Sequence, residues 1–238
     1  MSGQEGAEVV KKELARYASP ERAKTSLRFF KTGKGQYGEG DQFIGVTVPD
    51  RRKVARLCKD ISLQAIDILL NSPIHEHRLT CLLILCEQFK QTKNQQVIYD
   101  FYMQHRGRVN SWDLVDVSAP RIVGTYLLTR SRSKLYTLAR SHSLWDRRIA
   151  IISTFAFIAH NDYKDTLAIA EILLGDKEDL IHKAVGWMLR EVGKRDVTVE
   201  KSFLDKYACI MPRTMLRYSI EHFSDEERKY YLHLTKIT

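Results

Sequence analysis

The stretch Ser111-Trp112-Asp113-Leu114-Val115-Asp116 places an indole ring and two carboxylates close together in the chain. If this stretch is helical, Trp112 and Asp116 stand at positions i and i+4 and share one face of the helix. The chain of 238 residues carries a formal net charge of +9. An aromatic ring beside an acid, on a basic protein, suits a cationic aromatic ligand that is attached to a polyanion.

Similar stretches follow at a regular spacing. Tryptophan again stands beside an apolar helical run in Leu144-Trp145-Asp146-Arg147-Arg148 and in Ala184-Val185-Gly186-Trp187. Charged residues near the starts of such runs recur about every 35 residues. They are Arg78, Asp113, Arg148 and Lys183, and a fifth unit carries Arg213. Helix pairs with this period are typical of a helical solenoid. The spacing therefore predicts an all-α fold, with about six helix pairs in a curved, right-handed array.

The basic residues at these helix starts have a functional interpretation. The helix dipole disfavours cations in the N-terminal turn, yet most of the units carry one there. Phosphate binding explains the recurrence, whereas an ordinary solvated charge is the alternative for any single residue. Equivalent positions of a solenoid line one concave face, so we expect that face to meet a polyanionic partner.

Two proline-containing motifs predict helix starts in the N-terminal region. Ser19-Pro20-Glu21-Arg22 fits an N-cap followed by proline at the first helical position, and Pro49-Asp50-Arg51-Arg52 opens a further helix. Between them, Gly33 to Val48 is the glycine-rich segment of the chain. It predicts a short β-hairpin or an ordered loop that approaches nucleic acid, and a flexible connector is the alternative. The phosphate-loop pattern is absent from it.

The sequence has no pattern for a metal site, a cofactor or a covalent nucleophile. His75, His77 and Cys81 lack a recognised zinc spacing and are interpreted as structural or surface residues. No serine or cysteine has a recognisable base beside it, and all four cysteines are predicted to be reduced core thiols. No window approaches the ~18 apolar residues of a membrane span, and the N-terminus has no signal-peptide pattern. We expect a cytoplasmic, nucleoid-associated protein without membrane contact.

In these motifs the chain resembles the bacterial DNA alkylation repair proteins of the AlkD-like class, which are built from HEAT-like repeats. The resemblance covers most of the chain. Its carriers are Ser19-Pro20-Glu21-Arg22-Ala23, Pro49-Asp50-Arg51-Arg52, Ser111 to Asp116, Trp145-x-x-Arg148 and Lys183-Ala184-Val185-Gly186-Trp187-x-Leu189-Arg190-Glu191. It implies a HEAT-like helical solenoid that forms a single DNA-binding domain over residues 1–238, active as a monomer and without a cofactor.

The resemblance also implies an activity. The implied protein is a metal-free, monofunctional glycosylase that would remove N3- or N7-alkylated purines from double-stranded DNA. By match to the family motif, Asp116 would be the catalytic carboxylate. Trp112 and Trp187 would be aromatic walls beside the lesion and its deoxyribose, and Arg148 would hold the backbone near the lesion. The residues predicted to contact DNA are Lys34, Tyr37, Arg51, Arg52, Arg78, Asp113, Lys183, Arg190 and Arg213.

One departure from the family pattern leaves a second function open. The glycine-rich segment stands where the best-characterised glycosylases of the family have a short connection. Relatives with such insertions include DNA binders with little or no glycosylase activity. The alternative is therefore a non-catalytic relative that grips bent or branched DNA. A protein-binding helical scaffold fits less well, because the charge of +9 and the Trp, Asp and Arg cluster would then have no use.

Overall fold

The computed structural model describes residues 2–234, which form helices and turns and contain no β-strand. The predicted all-α class is confirmed. The chain divides into two compact units, one that ends at Ser118 and one that begins at Ala119. The prediction of a single domain stays a prediction.

The first unit is organised around one long, buried helix. Its helices are α1 Gly3–Ala15, α2 Pro20–Phe29, α3 Val48–Leu57, α4 Leu63–Leu70, α5 His75–Gln91, α6 Gln95–His105 and nearly all of α7 Trp112–Ala119, with a 3-10 turn at Arg106–Arg108. α5 packs against α3, α4 and α6, and α1 packs against α4. Because α5 is surrounded in this way, its first turn is buried together with its apolar residues, although that turn consists of His75, Glu76, His77 and Arg78.

The second unit is organised around α13. Its elements are a π-helical turn at Pro120–Gly124, α8 Thr125–Leu127, α9 Ser133–Ala139, α10 Leu144–Ser153, α11 Phe155–Ile158, α12 Lys164–Ile172, α13 Asp179–Gly193, α14 Val197–Tyr207, α15 Arg213–Ser219, a 3-10 turn at Ile220–His222 and α16 Asp225–His233. α13 packs against α10, α14 and α15. Gly186 permits the close approach of α15, because a Cβ atom at this position would overlap the backbone of Met215.

The local signals of the sequence appear where they are predicted. Ser19 caps α2 with Pro20 at its start. Thr47 caps α3, so that α3 begins one residue before Pro49. The second helices of the pairs begin at residues 75, 112, 144, 179 and 213, which agrees with a spacing of about 35 residues.

The glycine-rich segment does not form the β-hairpin that was one of its two predicted structures. Gly35 and Gly40 have φ values of 76° and 83°, and successive turns between residues 31 and 41 prevent extended pairing. The segment pairs instead with the residues that precede α5. Gln42 forms an isolated parallel bridge with Ile74, so the segment is an ordered loop that covers the start of α5.

Candidate functional site

The α7 face is the surface formed by Trp112 and Asp116. Both side chains are half-buried, and they lie one helical turn apart on α7. The residue between them that fixes the first turn is Asp113, whose Oδ1 accepts hydrogen bonds from Ser111 Oγ at 2.8 Å and from the backbone N–H of Leu114 at 3.0 Å. An acid in the first turn also interacts favourably with the helix dipole. The start of α7, where Trp112 lies, is therefore anchored by hydrogen bonds.

Behind the α7 face lies a buried ionic group, which we call the His75 cluster: Asp41, His75, Arg78 and Asp113. The His75 ring is fully buried. Its Nε2 lies 2.7 Å from Asp113 Oδ2, and its Nδ1 lies 3.3 Å from Asp41 Oδ2. Arg78 Nη2 donates to the same Asp41 oxygen at 2.5 Å. The cluster thus joins the glycine-rich segment, the start of α5 and the start of α7.

The pKa values of the cluster shift in the directions expected for ion pairs. Burial opposes charge on His75, but hydrogen bonds to Asp113 and Asp41 outweigh burial and raise the pKa of His75 above 6.5. Burial likewise opposes ionisation of the two carboxyls, yet their hydrogen bonds to His75 hold the pKa of Asp41 and of Asp113 below the usual value. These shifts favour a charged imidazole between two ionised carboxylates.

An aromatic layer lies over the His75 ring and reaches the α7 face. The rings of Phe30 and Phe43 lie 4.7 and 5.2 Å from that of His75, measured between centroids. Phe30 stacks in turn on Trp112 at 5.7 Å with an interplanar angle of 17°, and Phe29 meets the indole edge-on at 5.9 Å. Phe30 and Phe29 both contact the Trp112 indole, so a ligand would bind the part of the indole that these two rings leave accessible.

A second buried pair, Glu76 and Arg51, anchors the end of the glycine-rich segment. Glu76 is fully buried, and its Oε1 accepts from the backbone N–H of Gly45 at 2.8 Å and of Ile44 at 3.2 Å. Arg51 Nη2 lies 3.8 Å from the same oxygen, and Arg51 Nε donates to the carbonyl oxygen of Val46 at 2.8 Å. The carboxylate and the guanidinium group together fasten residues 44–46 to α3 and α5.

The residues of the first unit that are predicted to bind DNA fall into a buried group and an accessible group. Arg51 and Arg78 are buried among acids of their own unit, and Asp113 belongs to the His75 cluster. Their side chains are held by contacts within the unit, and their assignment as DNA contacts stays a prediction. Arg52 and Lys34 are exposed, with no ion pair among residues 2–234, and Tyr37 is half-buried.

In the second unit, the predicted residues lie on three of its helices. Arg148 on α10 is buried, and its Nη1 donates to the carbonyl oxygen of Leu180. On α13, Lys183 pairs with Asp179, Trp187 Nε1 donates to Glu191, and Arg190 pairs with Glu221 and Glu191. Arg213 at the start of α15 is exposed, without an ion pair in the described part of the chain.

Sequence reasoning missed Asp41, Phe30 and Glu76, and it gave His75 no functional part. One signal was present. The run Leu79 to Leu85 is apolar almost without interruption, and a helix that is hydrophobic all round is buried. The charged turn that precedes this run is therefore buried as well, and buried charges require partners. The identity of those partners was not readable, because they lie more than 30 residues away in sequence.

Among residues 2–234, no group of three or more His, Cys, Asp or Glu side chains is arranged to hold a metal ion. No helix in that range is long and apolar enough to cross a membrane.

Comparison with known proteins agrees with the fold and the motifs. The sequence matches none of the curated proteins. Among solved structures, a predicted DNA alkylation repair enzyme from Enterococcus faecalis has a similar fold, with a TM-score of 0.68 and 15% identity over 87% of this chain and 97% of that chain. The family described as DNA alkylation repair enzyme matches residues 10–223, which is most of the sequence. The chain therefore belongs to the DNA alkylation repair enzyme family.

Proposed function

We propose that this protein binds duplex DNA and hydrolyses the N-glycosidic bond of cationic N3- or N7-alkylated purines. The observation that carries the proposal is the α7 face, where an indole and a carboxylate lie one turn apart on a helix whose first turn is fixed by hydrogen bonds of Asp113. Family membership supports DNA repair as the setting.

The chemistry needs little beyond these two groups. An alkylated purine carries a positive charge and is already a good leaving group, so bond cleavage leaves positive charge on the deoxyribose. The Asp116 carboxylate stabilises that charge electrostatically and positions the attacking water. The Trp112 indole contacts the cationic nucleoside, with an attraction of about 0.5–2 kcal/mol. Neutral lesions such as uracil require protonation to leave, and the α7 face has no evident general acid.

For the second unit we propose supporting contacts to DNA. Trp187 contributes a further aromatic surface, and Arg148 helps to hold the strand backbone. The exposed cations of the two units, Lys34, Arg52 and Arg213 above all, bind phosphates without regard to sequence. Lys183 and Arg190 exchange their acidic partners for phosphates, and Tyr37 contributes a polar contact from the glycine-rich segment.

The test compares Asp116→Asn with the unmodified protein. Asparagine preserves the size of the side chain but supplies no negative charge, so base release should fall by about 100–1,000-fold while DNA binding stays. Trp112→Ala should also slow base release. Neither the unmodified protein nor Asp116→Asn should release uracil from uracil-containing DNA. Equal release of 7-methylguanine by Asp116→Asn and by the unmodified protein would refute the role of Asp116.

A second candidate function is DNA binding without catalysis. The observation that favours it is the aromatic layer, in which Phe30 already covers one face of Trp112 and the glycine-rich segment is docked beside it. In this case the protein grips bent or branched DNA, and the α7 face serves that grip. Tight DNA binding, with no base released by any variant, would select this function.

A further inference from the structure

The charges of the His75 cluster and of the Glu76–Arg51 pair balance when His75 is protonated. Three carboxylates meet two guanidinium groups and one imidazole: Asp41, Glu76 and Asp113 against Arg51, Arg78 and His75. The His75 ring is fully buried. With a neutral imidazole, one negative charge would remain uncompensated inside the unit, which is costly.

The geometry of the ring supports the same protonation state. Each of its nitrogens faces a carboxylate oxygen, Nε2 at 2.7 Å and Nδ1 at 3.3 Å. A neutral imidazole has a single N–H, so one of the two contacts would then join two acceptors. Only the imidazolium ion donates to both Asp113 and Asp41. Arg78 Nη2 also lies 3.3 Å from Nδ1. It would donate to Nδ1 of a neutral ring and opposes the charge of the imidazolium, but its shorter contact, at 2.5 Å, is to Asp41.

His75 is also connected to Trp112 by two separate routes. Through hydrogen bonds, it holds Asp113, the residue next to Trp112 in the first turn of α7. Through ring contacts, it supports Phe30, which stacks on the indole. Loss of the imidazolium ion would therefore act on the orientation of Trp112 from two sides.

We infer that His75 is a positioning residue, whose doubly protonated ring joins the glycine-rich segment to α7 and thereby sets the orientation of the Trp112 indole. The effect of His75 on DNA repair rests on the proposed function, whereas its effect on the orientation of Trp112 does not. The glycine-rich segment is accordingly a structural part of the site, because Asp41 supplies half of the clamp on the ring.

The first experiment measures the protonation state in the unmodified protein without DNA. Nitrogen NMR of ¹⁵N-histidine-labelled protein should show imidazolium shifts at both ring nitrogens of His75 at pH 7.5. His77, two residues away, is the internal control, since burial and nearby Lys11 lower the pKa of His77 to about 4 and its ring should be neutral. A neutral His75 ring at this pH would overturn the inference.

The second experiment measures the consequence for the indole. In a Trp145→Phe, Trp187→Phe background, the remaining fluorescence reports Trp112. His75→Gln should shift its emission, whereas His77→Gln, which loses a 2.9 Å contact to Ser72, should not. Asp41→Asn removes one of the two carboxylates that face the ring, so it should lower the pKa of His75. If His75→Gln fails to fold, Asp41→Asn replaces it as the variant whose Trp112 emission is measured. Equal emission changes for both histidine variants would show a general packing effect and contradict the inference.

The third experiment tests the link to activity. His75→Gln should slow single-turnover release of 7-methylguanine by about 10–100-fold, the scale of a small misplacement at a reacting site, with unchanged affinity for undamaged duplex. Undiminished release by His75→Gln would contradict the link to Trp112. If the unmodified protein releases no base, the proposed function fails, while the NMR and fluorescence results still decide the inference.

Discussion

Glu76→Gln should destabilise the first unit more than any exposed change on the same helix. The substitution removes the charge that faces Arg51 at 3.8 Å and weakens the acceptor that holds the N–H groups of Gly45 and Ile44. Breaking a buried ion pair by removing one partner costs about 3–5 kcal/mol, and hydrogen bonds to a charged group contribute about 1.5–3 kcal/mol each, though not additively. We expect a loss of about 3–5 kcal/mol, a large fraction of the ~5–15 kcal/mol that stabilises a typical protein.

Urea denaturation at pH 7 measures this loss, and Glu87→Gln on the same helix is the matched control. Glu87 forms an exposed i,i+3 pair with Lys90 at 3.0 Å, and such pairs contribute about 0.3–0.5 kcal/mol. The melting temperature of Glu76→Gln should fall by on the order of 10 °C, and that of Glu87→Gln should barely change. If Glu76→Gln costs less than ~1 kcal/mol, Glu76 does not anchor the glycine-rich segment as described.

Three further outcomes follow from particular residues. Gly45→Ala should destabilise strongly, because φ is 73° and the added methyl group would overlap the backbone of Ser19 and Ala23 at the start of α2. Gly35→Ala at φ 76° has open space around it and should cost only about 1–2 kcal/mol, and thermal unfolding compares the two variants. Burial raises the pKa of Glu200 from 4.5 to about 9, so the folded protein binds a proton that the unfolded chain releases, and stability falls as pH rises between these values. Glu200→Gln should reduce the pH dependence of the free energy of unfolding, and the variant should be more stable than the unmodified protein at pH 8 in denaturant titrations. Arg52→Ala and Arg213→Ala should each lower the slope of log affinity for DNA against log salt by about 1 without changing the melting temperature, and an unchanged slope would place that residue away from the DNA.

The parts of the fold that local chemistry determines were predictable from the sequence. The cap and proline at Ser19-Pro20 and the helix that opens near Pro49 depend on neighbouring residues, and both appear in the structure. The spacing of the second helices was equally visible, because an apolar face of fixed length must recur in each helix pair. The all-α class follows from the same periodicity.

The parts that depend on distant partners were not predictable. Glycines at residues 35 and 40 signalled a turn, but whether the chain would pair with itself or with Ile74 depends on what α5 leaves exposed. The same holds for the candidate site: Trp112 and Asp116 were readable from their i, i+4 spacing, whereas the contact between His75 and Asp113 joins residues 38 positions apart. The first turn of α5 has the sequence of a polar surface, but it is buried and forms an ionic cluster. Sequence periodicity does not identify the distant residues that pair with it.

Release of 7-methylguanine tests the central claim most directly. The measurement uses duplex DNA with a single 7-methylguanine, an excess of protein over DNA, and a protein-free sample to record spontaneous depurination. The account predicts that the unmodified protein releases the base well above the spontaneous rate and that Asp116→Asn, at equal occupancy of the DNA, loses most of that acceleration. Release at the spontaneous rate, from DNA that is shown to be bound, would contradict the claim of catalysis. The protein would then be a DNA-binding protein without glycosylase activity.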